Sequence, residues 1–264
     1  MKFFLLISLL FSQFSFAQEQ TITLTGSSTI APLAMEIGKR FEKLHPGIKV
    51  DVQTGGSSRG IKDAREGTAD IGMVSRSLNP DEQDLKFFTM AKDGVSVILH
   101  KDNSVKVLST DQVIKIYKGE IKNWKEVGGR DAPITVVNKA EGRSTLELFL
   151  HFFKLKNSEI KASVVIGDNA QGIKTVAGNP NAIGYVSIGT AEAAIVEKNP
   201  IKLISMNGIE ATTASVKNST FPISRVLNLV TKTQPKGSIK EFIEFSVSNK
   251  INDLIIEQFF VPIH

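Results

Sequence analysis

Hydrophobic and polar positions along this chain repeat with two periods, two residues and about 3.6 residues, and the change from one to the other predicts its elements. From Thr21 the chain alternates as a strand through TITLT and ends at Gly26. Apolar residues then recur at helical spacing until HPG at 45–47 ends the helix. The chain continues with the strand IKVDVQT, the helix SSRGIKDAREG and the short apolar strand ADIGMVS. This βαβαβ order predicts a parallel sheet flanked by helices, with ligands at the carboxyl ends of the strands.

A second set of strands and helices follows from residue 94. It comprises the strand GVSVILH, the helix STDQVIKIYKG, the strand ITVVN, a helix after EGRST, the helix DNAQGIKTVAG, the strand AIGYVS and the helix GTAEAAIVEK. Near the end, the pattern predicts the strand RVLNLVTK and the amphipathic helices SIKEFIEFSVS and INDLIIEQFF. Short connections near 94–100 and 222–231 would join two α/β lobes. We therefore predict lobe 1 over 18–97 and 226–264, and lobe 2 over 98–225.

The first residues predict export rather than a part of the fold. Lys2 precedes a short apolar run, and small residues follow at Ser15 and Ala17. This is the pattern of a secretory signal peptide over 1–17 that is cleaved after Ala17. The run is too short and too polar to span a bilayer well, and an uncleaved anchor is the alternative. We therefore expect a periplasmic protein.

Composition and charge narrow the classes of function. The chain has 264 residues and no cysteine, so its fold depends on neither disulfides nor thiolate metal sites. The four histidines are scattered without metal-ligand spacing, and we expect no metal and no other cofactor. The formal net charge is +5, but no run of Lys and Arg is interleaved with aromatic residues, so nucleic acid is not an expected partner. Mild positive charge suits the attraction of small anions equally well.

Three helix starts share one design, in which a strand ends, glycine and hydroxyl residues follow, and a helix begins. They are GSSTIAP at 26–32, GGSSRG at 55–60 and EGRST at 141–145. A helix N-terminus presents unpaired N–H groups and a partial positive charge, so it can hold an anion. Because Ser and Thr are also the preferred N-caps, one such start taken alone is better explained by capping. Three of them in one α/β chain favour a shared anion site.

Charged residues near these helix starts sharpen the hypothesis. Arg76 follows the third strand and Arg143 lies inside the third helix start, and each guanidinium offers paired donors to a tetrahedral oxyanion. The alternative is that each is a solvated surface arginine. Glu141 would repel a bare anion and helps only with a ligand that carries a proton, as hydrogen phosphate does and sulfate at neutral pH does not. The alternative for Glu141 is a first-turn acid favoured by the helix dipole.

Five stretches, in this order and at suitable intervals, are similar to those of a known family. They are TGSSTIAP, GGSSRGIKDAREGTADIGMVSR, IYKGEIKNWKEVGG, AIGYVSIG and FPISR. Together they resemble the PstS-type phosphate-binding proteins of ABC importers, over essentially the whole mature chain. The resemblance implies an α/β, two-lobed periplasmic-binding-protein fold of the type II kind. Each lobe would be a mostly parallel sheet flanked by helices, and the two lobes would close over one phosphate.

The resemblance also implies a set of phosphate-binding residues, although the second-lobe motif departs from the family pattern. The family pattern Arg-x-Asp-Gly-Ser-Gly-Thr is KAEGRST here, with Lys139 in place of the leading arginine and Arg143 in place of the serine. A guanidinium moved from the position of Lys139 to Arg143 preserves one cation, and Ser144 would supply the displaced hydroxyl. Whether Lys139 or Arg143 is the second-lobe cation stays open. The implied site is Ser28, Thr29, the backbone of Ile30, Ser57, Ser75, Arg76, Glu141, Arg143, Ser144 and Thr145.

The predicted function is capture of inorganic phosphate in the cleft and its delivery to the membrane permease of an ABC importer, by a monomer that is not an enzyme. Arsenate and sulfate are the alternative ligands. A secreted serine hydrolase or phosphatase is the competing class, but no histidine lies in the three helix starts to complete a Ser–His–acid triad. An adhesive role would present Trp124 and Tyr117 to a partner, whereas a single Trp after a helix is more often a core anchor.

Overall fold

A computed structural model describes residues 20–264, so the predicted signal peptide over 1–17 and its cleavage after Ala17 lie outside the described residues. The strands are, in chain order, β1 Gln20–Gly26, β2 Ile48–Thr54, β3 Ile71–Val74, β4 Lys86–His100, β5 Val107–Leu108, β6 Thr135–Lys139, β7 Val164–Ile166, β8 Ala182–Ser187, β9 Ile201–Leu203, β10 Ser205–Met206, β11 Ser224–Thr231 and β12 Val261–Pro262. The helices are α1 Ala31–Leu44, α2 Ser57–Glu66, α3 Thr110–Tyr117, α4 Ser144–Phe153, α5 Asn169–Ala177, α6 Ile188–Val196, α7 Thr213–Lys217, α8 Gly237–Ser246 and α9 Asn252–Glu257. Within 20–264, none of these helices combines the length and apolar character needed to cross a bilayer.

The first lobe is built on strands in the order β2-β1-β3-β11-β4. β1 pairs in parallel with β2 and β3, whereas β11 runs antiparallel to β3 and β4. Helices α1, α8 and α9 contribute Phe41, Phe242 and Ile255 to one apolar core with the strands. Helix α2 packs in a separate cluster, where Ile61 lies among Val74 and its neighbours. The parallel strands direct the starts of α1 and α2 to the same edge of the sheet.

The second lobe repeats this plan with strands in the order β4-β8-β6-β7. β6 pairs in parallel with β7 and β8, and β4 runs antiparallel to β8. Trp124 and Tyr117 are fully buried in its larger core, and the Trp124 indole N–H donates to the carbonyl of Asn181 at 3.0 Å. These two rings are therefore core anchors and do not form a partner surface. Helices α5 and α6 form a separate apolar cluster around Ile173.

Two antiparallel strands connect the lobes. β4 is 15 residues long, and it pairs with β11 up to Gly94 and with β8 from Val95 onward. The returning chain passes beside it, since the N–H of Val95 donates to the carbonyl of Ile223 at 2.9 Å. Such paired crossings absorb the rotation of one lobe against another. The α/β fold class is confirmed, while the lobe boundaries at 97/98 and 225/226 stay a prediction.

Candidate anion-binding site

A small cavity lies between the lobes, where the carboxyl ends of β1, β3 and β6 approach the start of α4. Its volume is about 10 Å³, the scale of one water-sized sphere. Hydroxyl groups, two glycines and two cationic side chains line it: Ser27, Ser28, Thr29, Gly56, Ser57, Ser75, Lys139, Arg143, Ser144, Thr145 and Gly167. Within residues 20–264 no carboxylate lines this cavity. A cavity with donors, positive charge and no acid is suited to an anion.

The three hydroxyl-rich helix starts meet at this cavity, and their hydroxyls do not cap the helices. The residues that precede α1, α2 and α4 are Ile30, Gly56 and Arg143, and none of these helices has a side-chain cap. The hydroxyls of Ser57 and Ser144 are buried at the first positions of α2 and α4. Because capping does not occupy them, these hydroxyls can turn toward a ligand, whereas the N–H groups of Ala31 and Ser58 already donate to the carbonyls of Ser27 at 3.1 Å and Gly142 at 3.2 Å.

Serine hydroxyls connect the two lobes across the cavity. The Oγ of Ser144, from the second lobe, lies 2.6 Å from Ser57 Oγ and 2.7 Å from Ser75 Oγ, both from the first lobe. Ser27 Oγ donates to Ser75 Oγ at 2.9 Å, and the N–H of Ser75 donates to Ser57 Oγ at 3.1 Å. These four side chains are 0–3% exposed. A buried cluster of interchangeable donors and acceptors can turn its protons toward an anion without leaving other groups unpaired.

Arg225 contacts several hydroxyls that line the cavity and fixes their positions. It lies at the start of β11 directly opposite Asp93 of β4, and its guanidinium donates to Asp93 Oδ2 at 2.6 and 2.9 Å. The same guanidinium donates to Thr29 Oγ1 at 3.0 Å, Thr145 Oγ1 at 3.1 Å and Ser75 Oγ at 3.3 Å. Both members of the ion pair are buried, and Arg225 therefore touches hydroxyls of both lobes from a fixed position.

The orientation of the Thr29 hydroxyl follows from this arrangement. Its Oγ1 accepts from Arg225, and it also accepts from the Nδ2 of Asn169 at 2.9 Å. A hydroxyl oxygen has two acceptor positions and one donor, so both acceptor positions of Thr29 are in use. The proton of Thr29 must then be donated elsewhere, and the cavity is the space that Thr29 lines. Arg225 and Asn169 thus direct the hydroxyl proton of Thr29 toward the cavity.

The second lobe brings two cations to the cavity. Lys139, at the end of β6, is 3% exposed, and its Nζ donates to Asn169 Oδ1 at 3.1 Å. Burial, followed by the nearby charge of Arg225, lowers the pKa of Lys139 to about 7. Arg143 lies just before α4 and lines the same cavity. Within the described residues neither cation forms an ion pair, and no cluster of His, Cys, Asp or Glu is arranged to hold a metal ion.

Comparison with known proteins identifies the family. Residues 15–250 match the model of the PBP superfamily domain. The phosphate-binding protein PstS of Staphylococcus haemolyticus is 30% identical over 241 residues, which cover 85% of this chain and 76% of that protein. The chain belongs to the PstS family. The phosphate-binding protein PstS of Bacillus subtilis is 28% identical over 248 residues, covering 92% of this chain and 81% of that protein.

A solved structure supports the same assignment for the fold. A Clostridium perfringens chain assigned as a phosphate ABC transporter substrate-binding protein, with bound phosphate, superposes with a TM-score of 0.86. It is 32% identical, and the match covers 93% of this chain and all of the other. The two-lobed periplasmic-binding-protein fold implied by the sequence resemblance is therefore confirmed.

Most of the site residues suggested by resemblance to the PstS family come together in the structure. The residues that line the cavity are Ser28, Thr29, Ser57, Ser75, Arg143, Ser144 and Thr145. Ile30 is fully buried immediately before α1, and its N–H donates to the carbonyl of Ser27 at 3.2 Å. Lys139 and Arg143 both line the cavity, so the structure brings two second-lobe cations to it where the sequence suggested one.

Arg76 lies beside the cavity and does not line it. Its guanidinium donates to Glu82 at 2.6 and 2.9 Å, and its Nε lies 2.5 Å from Glu147 of α4. Ser75 and Arg76 form a bend directly after β3, in which Ser75 lines the cavity and the Arg76 guanidinium is directed to the two acids. Arg76 therefore connects the two lobes through its ion pair with Glu147, next to the cavity. It is 6% exposed, and its charge is matched by these two acids.

Glu141 is also placed outside the cavity. It is exposed to solvent, and its carboxylate accepts from the Nδ2 of Asn157 at 3.0 Å. The chain then turns at Gly142, whose φ of +77° is in the left-handed region, before Arg143 enters the cavity. In this conformation the Glu141 carboxylate does not reach the cavity, so it has no contact through which to accept a proton from a ligand there.

Several residues of the site were not singled out by sequence reasoning. Arg225 belongs to the FPISR stretch, but nothing in the local sequence shows that it faces Asp93, 132 residues away. Gly56 has a φ of +96°, and a Cβ there would lie 2.5 Å from the carbonyl oxygen of Gly142 in the other lobe. Glycine at this position thus permits the close contact of the lobes. The other residues that sequence reasoning did not single out are Ser27 and Gly167, which line the cavity, and Asn169, which donates to Thr29.

Proposed function

We propose that this protein captures inorganic phosphate in the cavity between its lobes and delivers it to the membrane permease of an ABC importer. The observation that carries the proposal is the cavity itself, which combines hydroxyl donors, helix N-termini and two cations without an ion pair, and which no carboxylate of residues 20–264 lines. Its PstS relatives are named phosphate-binding proteins, and the C. perfringens structure contains phosphate. These names support phosphate as the ligand.

Phosphate binding would follow opening and closing of the lobes at their paired crossing strands. In the closed arrangement Ser144 contacts Ser57 and Ser75 across the cavity. A phosphate ion entering between the lobes would exchange these hydroxyl contacts for hydrogen bonds to its own oxygens. Lys139 and Arg143 would contact it from the second lobe. Exclusion of water strengthens each of these interactions.

We infer that the protein acts as a binding module without catalytic activity. The relatives are named as binding proteins, and within residues 20–264 no histidine lines the cavity to act as a general base. We further propose that the protein works as a monomer in the periplasm after removal of residues 1–17, as the pattern of its first residues predicts.

The ligand preference follows from the donors and acceptors of the cavity. Arsenate shares the shape, charge and proton of phosphate, so it should compete for the site. Sulfate oxygens are less basic than those of hydrogen phosphate, so they accept weaker hydrogen bonds from the same hydroxyls, and sulfate should bind more weakly. Because Glu141 lies outside the cavity, this discrimination would come from the hydroxyls and not from a carboxylate.

Isothermal titration of the purified protein with phosphate, arsenate and sulfate tests the proposal. We expect saturable binding of one phosphate per chain near neutral pH, competition by arsenate, and weaker binding of sulfate. A phosphomonoester incubated with the protein should release no phosphate. The absence of saturable phosphate binding would contradict the proposed ligand, and turnover of the ester would contradict a pure binding role.

A further inference from the structure

Lys139 is a buried charge in the cavity without an acidic partner. Its side chain is 3% exposed, and its Nζ is hydrogen-bonded to the neutral amide oxygen of Asn169 at 3.1 Å. An ammonium group has three donors, and one neutral acceptor compensates it only in part. Burial of an incompletely compensated charge is costly, so the neutral amine is favoured in this position.

The charges that face Lys139 from neighbouring elements are mainly positive. Arg225 of β11 and Arg143 before α4 both disfavour the charged form of Lys139, and Asp168 before α5 favours it. Asp93 of β4 is buried, and its carboxylate is occupied by the guanidinium of Arg225 at 2.6 Å. The excess of positive charge around the amine would be reversed by an anion in the cavity.

Tyr185 of β8 does not supply a compensating group for the amine. Its hydroxyl accepts from the backbone N–H of Lys139 at 3.3 Å and donates to Asn138 Oδ1 at 2.6 Å. Burial also raises the pKa of the Tyr185 hydroxyl, which therefore stays protonated and uncharged at neutral pH. The protonation of Lys139 is thus determined by the two arginines, by Asp168 and by any ligand in the cavity.

An anion in the cavity would change the preferred form of Lys139. Burial and then Arg225 bring its pKa from an ordinary value of 10.5 down to about 7, so both forms are populated at neutral pH when no anion is bound. A dianion beside the amine favours the ammonium form and raises that pKa again. By linkage, a ligand that raises the pKa of a group must draw a proton to it.

We propose that phosphate binding is coupled to protonation of Lys139, so that the protein takes up a proton at Nζ when phosphate enters the cavity. This inference rests on the proposed function, because it concerns the same site. Above neutral pH the ligand is the hydrogen phosphate dianion, and the proton comes from solvent. Near neutral pH, dihydrogen phosphate can instead bring the proton to a neutral amine, and its P–O–H oxygen keeps the bonding pair while Nζ binds the proton. Either route ends in the same pair of ammonium and dianion.

The coupling makes the affinity for phosphate depend on pH through Lys139, and an arginine at position 139 would not produce this dependence. Above the pKa of the ligand-free amine, the affinity should fall about tenfold for each pH unit, since each unit lowers the protonated fraction tenfold. Arginine stays charged throughout this range, so Lys139→Arg is the matched variant. The protonation of phosphate itself affects both proteins equally and cancels in their comparison.

Calorimetric titration with phosphate in two buffers of different ionisation enthalpy measures the protons taken up. At about pH 8.5 free phosphate is already the dianion, and an unperturbed lysine would still be charged. We expect the wild-type protein to take up close to one proton per phosphate there, and Lys139→Arg to take up almost none. Between about pH 8 and pH 9 the affinity of the wild type should fall about tenfold, and that of Lys139→Arg should stay constant.

A second variant is needed in case the larger arginine side chain fits poorly at position 139. A lowered melting temperature of Lys139→Arg would reveal such a poor fit. Lys139→Met lacks the amine, and it should bind phosphate more weakly than the wild type and without proton uptake at either pH. If the wild type binds phosphate without proton uptake, or if uptake persists in the variants, the inference is overturned while the proposed function stands. If the wild type binds no phosphate at any pH, the proposed function fails and the inference fails with it.

Discussion

Replacing Arg225 with alanine should abolish measurable phosphate binding and destabilise the protein. Arg225 donates to Thr29 and Thr145, one from each lobe, so its loss frees the hydroxyls that it orients. It would also leave Asp93 buried and unpaired, and breaking a buried ion pair in this way costs about 3–5 kcal/mol of folding free energy. Calorimetric titration and urea unfolding of the variant measure the two effects separately.

Two further variants separate the roles of Arg225. Arg225→Lys keeps the charge for Asp93 but lacks the planar fork, so it should recover much of the stability and little of the binding. Arg130→Ala removes an exposed guanidinium that is hydrogen-bonded to Asn181 far from the cavity lining, and it should change neither quantity appreciably. Phosphate binding by Arg225→Ala at wild-type affinity would show that the hydroxyls do not need this arginine.

Replacing Arg143 with alanine should weaken phosphate binding by about 2–5 kcal/mol, the range for truncating one partner of a buried charge pair. This corresponds to roughly 30-fold to several thousand-fold in the dissociation constant. Arg143 lines the cavity and forms no ion pair within the described residues, so its removal should leave the melting temperature almost unchanged. Titration with phosphate, together with a melting curve without ligand, checks both expectations.

Glu141→Gln is the matched comparison within the same loop. The carboxylate is exposed and accepts from Asn157, so its replacement should leave both the phosphate affinity and the preference for phosphate over sulfate unchanged. A clear loss of that preference would mean that Glu141 swings into the cavity when phosphate binds. Unchanged affinity in Arg143→Ala would mean that the second-lobe cation is Lys139 alone.

Local pattern predicts the first lobe well because each of its elements has its own apolar face. The alternating residues of β1 and β2 and the helical spacing of Leu33, Ile37 and Phe41 in α1 face one core. The same regularity brings the three hydroxyl-rich starts together, because parallel strands end at the same edge of the sheet. Ser57 and Ser144 could therefore be expected at one site before their positions were known.

The positions of Arg76 and Arg225 could not be read from the sequence in the same way. Whether a residue in the bend after a strand faces the cleft depends on the local direction of the backbone, and Arg76 points to Glu82 and Glu147. Arg225 faces Asp93 only because β4 and β11 cross between the lobes in antiparallel register. Such long-range register is set by packing of the whole sheet and leaves no local signal in the sequence.

A crystal structure of the protein, from crystals grown with phosphate, would test most directly the claim that phosphate binds between the lobes. We predict one tetrahedral anion between the lobes, contacted by Thr29, Ser75 and Ser144 and by the cations Lys139 and Arg143. Arg225 should keep its contact with Asp93 in that complex. Stoichiometric phosphate binding in solution, with the anion bound elsewhere in the crystal or with these side chains turned away from it, would contradict this site.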